Sequence, residues 1–184
     1  HKMMDTMNEP SKFGKKFNEQ QTRFYRETIY EILKNLREKW QQLDFLASQP
    51  QNHWENDKDM DYSVFSLLDI HLWMVHNDDF VKDTGYFEHI HAPKSDRFWA
   101  QTYRNMKQKW EINKQAYEVW LDKKISGMVS VARKWSIPIG NTEGWGAIYW
   151  MDHPALEWDI IKEAGEIGAR LGAAHGYSFN CTSN

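Results

Sequence analysis

Apolar residues recur along this chain at two spacings, and the alternation between the two spacings divides it into elements. Over residues 17–43, Tyr25, Ile29, Ile32, Leu33, Leu36, Trp40 and Leu43 fall at the spacing of an amphipathic helix. A second helical run begins after Ser95 and Asp96, good helix-starting residues, and carries Phe98, Met106, Trp110, Tyr117, Trp120, Leu121 and Met128 towards residue 134. A third opens at Asp152-His153-Pro154, with proline in its first turn. Its apolar stripe is Leu156, Ile160, Ile161, Ala164, Ile167 and Leu171, and Gly172 and Gly176 close it.

Short apolar stretches at residues 3–9, 43–49, 64–74, 137–142 and 177–181 read as strands. Residues 64–74 form the strongest of these, bulky and flanked by polar loops. Residues 51–62 read as a polar loop, and 76–94 as a long irregular segment containing Gly85 and Pro93. Strands separated by whole helices pair in parallel through right-handed crossovers, so the expected class is α/β. A barrel and an open doubly wound sheet both satisfy this order. No glycine-rich phosphate loop follows any strand, which counts against nucleotide-binding versions of the open sheet.

Composition narrows the function classes. With 41% hydrophobic and 27% charged residues over 184 positions, the chain has the balance of one globular domain. Its net charge is -3 and its Lys and Arg residues are dispersed, which argues against a nucleic-acid partner. The most apolar run, residues 64–75, is broken by Ser66, Asp69 and His71 and is too short and polar to span a bilayer. A soluble chain with no membrane partner is expected. Its one cysteine, Cys181, excludes an internal disulfide and a Cys-rich zinc site, and reads as a buried structural thiol. Glu88, His89 and His91 read as a polar loop rather than a metal site, so neither metal nor cofactor is expected. The chain opens on His1 rather than Met, so a preceding segment is expected and the compartment is left unassigned. Ten Trp residues suit core filling, with some available to stack on flat sugar faces.

In parallel α/β folds chemistry gathers at the C-terminal ends of strands. Those ends here carry Asn8-Glu9-Pro10, the alternating Asp69, His71 and Trp73, then Asn141-Thr142-Glu143-Gly144-Trp145, and finally Asn180. Two glutamates closing two strands, Glu9 and Glu143, are what glycosidic cleavage needs: one protonates the leaving oxygen, the other attacks or activates water. Proximity and partial burial would push the two carboxyl groups apart in proton affinity, with His71 and amide side chains holding them in place. Strand alternation predicts that Ile137, Ile139, Asn141 and Glu143 share the inward face. Asn8 and Glu9, being adjacent, reach one site only if the backbone turns at Pro10.

These residues carry a resemblance. Asn8-Glu9-Pro10 resembles the Asn-Glu-Pro motif that ends the fourth strand in clan A glycoside hydrolases of the cellulase-like, family five type. Asp69-Ile70-His71-Leu72-Trp73 is similar to their sixth-strand His-x-Tyr, with Trp73 in place of Tyr, and Ile139 to Gly144 is similar to the seventh strand. The resemblance implies a (β/α)8 TIM barrel of which residues 1–184, the C-terminal part of a single barrel domain, carry strands four to eight. It implies Glu9 as acid/base, Glu143 as nucleophile and Asn8 against the sugar, with His71, Trp73 and Asn180 also lining the substrate. The last strand lacks the usual terminal Trp, so Trp145 or Trp150 is expected as the stacking platform. A complete barrel needs roughly 250 residues, so an N-terminal half, bringing an Arg, is the expected partner besides a carbohydrate substrate.

The implied activity is retaining hydrolysis of a β-linked glycoside or oligosaccharide. A carbohydrate-binding protein on the same barrel, with little or no catalysis, is the alternative. It draws on Trp73, whose indole donates a hydrogen bond but never accepts one. An unrelated α/β enzyme with structural glutamates is a third possibility, and would place His71 and Glu143 far apart.

Overall fold

The computed structural model of the chain describes residues 2–5, 19–50, 61–86, 96–147 and 153–182. Strand β1 (Lys2–Asp5) is followed by helix α1 (Glu19–Lys39), strand β2 (Leu43–Pro50) and strand β3 (Leu67–His71). A single 3-10 turn, Met74–His76, then leads into helix α2 (Asp78–Thr84). Helix α3 (Asp96–Lys134), strand β4 (Ile139–Gly140) and helix α4 (Trp158–His175) complete the order. The strands form one parallel sheet, β1-β2-β3-β4. An isolated parallel bridge between Asn141 and Asn180 continues it on the far side of β4. The α/β class and parallel pairing expected from the alternation are what the chain adopts.

Several elements differ from their expected bounds. β3 is shorter than residues 64–74 because both of its faces are buried. A strand covered on both sides shows a continuous apolar run, and that run does not mark where pairing stops. Helix α2 lies in the segment read as irregular. It is a short helix set by its caps: the Asn77 side chain accepts from the backbone N–H of Asp79 (2.9 Å) and Phe80 (3.1 Å), and Gly85 closes it at φ 69°. Asn77 is buried, so Asn77→Ala is expected to cost about 1–2 kcal/mol, read as a lower denaturation midpoint with an unchanged slope. Helix α4 starts later than the Asp-His-Pro motif. There His153 instead organises a turn, accepting from Ala155 N–H at Nδ1 (3.0 Å) and from Leu156 N–H at its carbonyl (2.9 Å). On α1, Leu33 is buried but Ile32 and Trp40 are 48% and 41% exposed, so the apolar stripe that packs is narrower than the spacing suggested.

The register decides what each face of the sheet carries. Ala47 pairs with Leu68 and Ser48 with Asp69, while Leu68 pairs with Ile139 and Asp69 with Gly140. Paired residues share a face, so Phe45, Ala47, Leu68, Ile70 and Ile139 form one apolar surface. That surface belongs to the main core with Met106, Trp110, Leu121 and Ile125 of α3 and Ile160, Ile161 and Ala164 of α4. The opposite face carries Ser48, Asp69 and His71, three polar residues all buried. Helices α3 and α4 are further tied to each other by Trp110 Nε1 donating to Glu163 (2.6 Å), by Arg170 with Glu118 (2.6 Å), and by His175 with Asp122 (2.7 Å).

Candidate active site

After Gly140 the chain does not continue as a regular strand. Asp69 pairs with Gly140, and the next bridge joins Leu72 to Gly144. Three residues advance along β3 while four advance along β4, so one extra residue is accommodated between the two pairings, as in a β-bulge. Hydrogen bonds from Trp145 N–H to Leu72 O (2.8 Å) and from Met74 N–H to Gly146 O (3.0 Å) fix the far side of the bulge. Gly144 is required there, because a Cβ would lie 2.9 Å from the Leu72 carbonyl oxygen. The bulge lets two sequential residues, Thr142 and Glu143, turn towards the same imidazole.

That imidazole is His71. Its Nδ1 lies 2.8 Å from Glu143 Oε1. Its Nε2 lies 2.9 Å from Ser48 Oγ, 3.2 Å from Asp69 Oδ2 and 3.4 Å from Thr142 Oγ1. His71 and Asp69 are almost wholly buried, whereas the Glu143 side chain is 39% exposed. Asp69 also accepts from Thr142 twice, from the backbone N–H (2.7 Å) and from the hydroxyl (2.6 Å). The result is a buried polar network anchored on three strands, with one carboxylate, Glu143, at its open end. A partly exposed carboxylate held by a fixed ring can act as a nucleophile, a base or a hydrogen-bond acceptor for a sugar hydroxyl.

Burial by itself would raise the Asp69 carboxyl, but the hydrogen bonds from His71 and Thr142 outweigh it and hold the group below its ordinary value of 3.8. A carboxylate lowered in this way stabilises the fold above its unfolded value, and that contribution disappears as pH falls through the folded value. Stability is therefore expected to drop on acidification below about pH 4, and Asp69→Asn to flatten that limb of a urea-midpoint-against-pH curve. The Tyr177 hydroxyl is pushed well up, first by burial and then by the negative charge of Asp69. It has no hydrogen-bond partner among the described residues.

The expected residues divide clearly. His71 and Glu143 are brought together rather than held far apart. Asn8, Glu9 and Trp150, with the Glu88–His91 segment, lie outside the described residues. Trp73 is buried, 4% exposed, and its backbone N–H donates to His76 Nδ1 (3.2 Å). Trp145, expected as a stacking platform, is fully buried: its ring pairs with Tyr177 at 6.0 Å and lies so close to Gly168 that a Cβ there would fall 2.4 Å from it. Among the described residues its indole presents no exposed face. Asn180 is likewise turned away from the network: its amide donates to Ala169 O (3.3 Å), and its side chain fills the space over Gly172 of α4.

The inward face of β4 also differs from the alternation expected for it. Gly140 and Thr142 stand with Asp69, while Asn141 bonds to Cys181 through both ends of its amide (3.0 and 3.3 Å). Glu143 reaches the site through the bulge rather than through phase with Ile137 and Ile139. Cys181 is exposed rather than buried. Ser48 and Thr142 are the site residues that the sequence did not single out. The available signal was a lone Ser inside the apolar stretch Leu43–Pro50, since a buried polar residue requires a partner.

Among the described residues no cluster of His, Cys, Asp and Glu is placed to hold a metal, and no helix is long and apolar enough to cross a membrane. The crystal structure at 1.85 Å of a protein from Parabacteroides distasonis ATCC 8503, provisionally described as a glycoside hydrolase, shares this fold with a TM-score of 0.73 and 24% identity. The similarity covers 85% of this chain and 41% of that one, so this chain spans less than half the length of its structural relative. No curated protein matches it significantly. The profile of the family described as sugar-binding cellulase-like matches residues 6–184, nearly the whole sequence, and the chain belongs to that sugar-binding cellulase-like family.

Proposed function

We propose that the chain forms strands four to eight of a clan A, family five type (β/α)8 barrel and carries both glutamates of a retaining glycoside hydrolase acting on β-linked sugars. The observation that carries this is the 2.8 Å pairing of Glu143 with the buried His71, which leaves the carboxylate fixed yet open at the C-terminal end of β4. In this proposal Glu143 attacks the anomeric carbon. Glu9 protonates the leaving oxygen and then activates water, with Asn8 against the sugar and Trp150 as the stacking platform. Among the described residues, β1 and the Asn180 bridge are the two open edges of the sheet. Strands from outside this chain would close the barrel across those edges and remove them.

The second reading is a barrel that binds sugar with little or no turnover. It is favoured by Trp73, which stands buried two residues beyond His71 where an acceptor hydroxyl would otherwise face the nucleophile. Turnover of chromogenic aryl β-glycosides by the full-length protein separates the two. Hydrolysis with a β-anomeric first product, seen by proton NMR, supports the retaining enzyme, with the Glu9 and Glu143 carboxyl groups ~5–5.5 Å apart. Sugar binding without hydrolysis supports the second reading.

A further inference from the structure

We propose that the Asp69 carboxylate and Thr142 together make a side-chain rung across the β4 bulge, and that Thr142 is thereby a positioning residue for Glu143; this rests on Glu143 being the reacting group.

A bulge disrupts the ladder locally and leaves backbone groups that need other partners. Asp69 pairs with Gly140 before it and Leu72 with Gly144 after it, so Thr142 and Glu143 fall between the two pairings. The backbone of Asn141 is used on the far side of β4, its N–H donating to Phe179 O (3.3 Å) and its carbonyl accepting from Cys181 N–H (3.1 Å). The next N–H, that of Thr142, meets a side chain of β3: it donates to Asp69 Oδ1 at 2.7 Å. The Thr142 hydroxyl donates to the other oxygen, Oδ2, at 2.6 Å. One carboxylate thus receives two short bonds from one residue, a two-point hold that fixes orientation as well as distance. Asp69 is 1% exposed and stands inside the paired stretch of β3, so the anchor is itself fixed.

Glu143 sits between this rung and a second fixed point. Beyond it, Trp145 N–H donates to Leu72 O at 2.8 Å, and at Gly144 a Cβ would lie 2.9 Å from the same carbonyl oxygen. Holding the chain on both sides sets the direction in which the Glu143 side chain leaves it. Loosening one side lets the carboxylate drift, and a misplacement of about 1 Å at a reacting group can cost about a hundredfold in rate. Thr142 is itself exposed, so a direct contact between its hydroxyl and the sugar is the competing role. A contact of that kind shows in KM, whereas a loss of aim shows in kcat.

The test uses the full-length protein and three substitutions. Thr142→Val keeps the shape and the backbone donor but removes the hydroxyl; kcat on an aryl β-glycoside is expected to fall about tenfold with KM changed less than about twofold. Thr142→Ser restores the hydroxyl and is expected to bring kcat back to within about threefold of the parent. Asp69→Asn leaves one acceptor oxygen for two donors, and is expected to speed hydrogen exchange of the Thr142 amide by at least about tenfold more than that of the Leu68 amide. Parental kcat in Thr142→Val, a loss that Thr142→Ser does not restore, or a raised KM at constant kcat overturns the proposal. So does a Thr142 amide that exchanges at the open-chain rate in the unsubstituted protein, a measurement that needs no variant to fold. If the parent hydrolyses nothing, or Glu143→Gln keeps full turnover, the reading of Glu143 fails by itself, and exchange of the Thr142 amide alone decides whether Asp69 carries the rung.

Discussion

Glu143→Gln is expected to lower turnover of an activated aryl β-glycoside by at least about 10³-fold while leaving the fold intact. The amide is isosteric and can keep the same place beside the buried ring, so the strand and the ring stay where they are. The side chain is 39% exposed, so the change buries no new unsatisfied group of consequence. On the proposed mechanism, what is lost is the lone pair of a charged nucleophile, for which an amide is no substitute. Binding of the intact sugar is expected to persist, and the denaturation midpoint to stay within about 0.5 kcal/mol of the parent. Both are read on one preparation, by calorimetric titration and by urea unfolding. Retained hydrolysis would remove Glu143 from the reaction; lost hydrolysis together with a collapsed midpoint would show a structural carboxylate instead.

The largest stability effect is expected at Trp145. Its indole is fully buried beside Tyr177 and over Gly168, immediately after the turn that presents Glu143. Trp145→Ala removes an aromatic payload of the size that costs about 3–5 kcal/mol in other cores. One term runs the other way: the indole Nε1 has no hydrogen-bond partner among the described residues, so deleting it also removes a buried unsatisfied donor. The net expectation is about 3 kcal/mol, read from the urea midpoint.

The same site makes a second, opposite change informative. At Gly168 a Cβ would sit 2.4 Å from the ring, closer than real contacts allow, so Gly168→Ala must displace the indole or the helix. Trp145 adopts a left-handed backbone, φ 71°, which a side chain tolerates only where its surroundings hold it. A shift of the ring therefore moves the turn at Gly144 and with it Glu143. Both substitutions are expected to lower turnover as well as stability, although the indole is fully buried. An unchanged midpoint for Trp145→Ala would mean that the ring does not support the turn.

Helices α1 and α3, whose period is local, were legible from spacing alone, and so was the parallel α/β order. The meeting of His71 and Glu143 was legible too, because parallel topology gathers the C-terminal ends of the strands on one side. Helix α2 was missed because its information lies in two caps, Asn77 and Gly85, rather than in a period. The fate of the tryptophans was not legible, since an indole serves equally well for core packing and for stacking, and only burial distinguishes the roles.

What the sequence by itself determined is local: which segments are helical, which stretches are apolar enough to be strands, and that polar residues such as Asp69 and His71 interrupt an apolar strand. The tertiary structure decided which residues meet. Ser48, His71 and Thr142 are far apart in the chain and converge only because β2, β3 and β4 pair in one register. Strand alternation has a period of two, so a single extra residue reverses every assignment of face. The insertion between the Asp69–Gly140 and Leu72–Gly144 pairings is such a residue, and it is what aims both Thr142 and Glu143 at one imidazole. Register is settled by pairing energy summed across strands, a quantity that no single stretch of sequence contains.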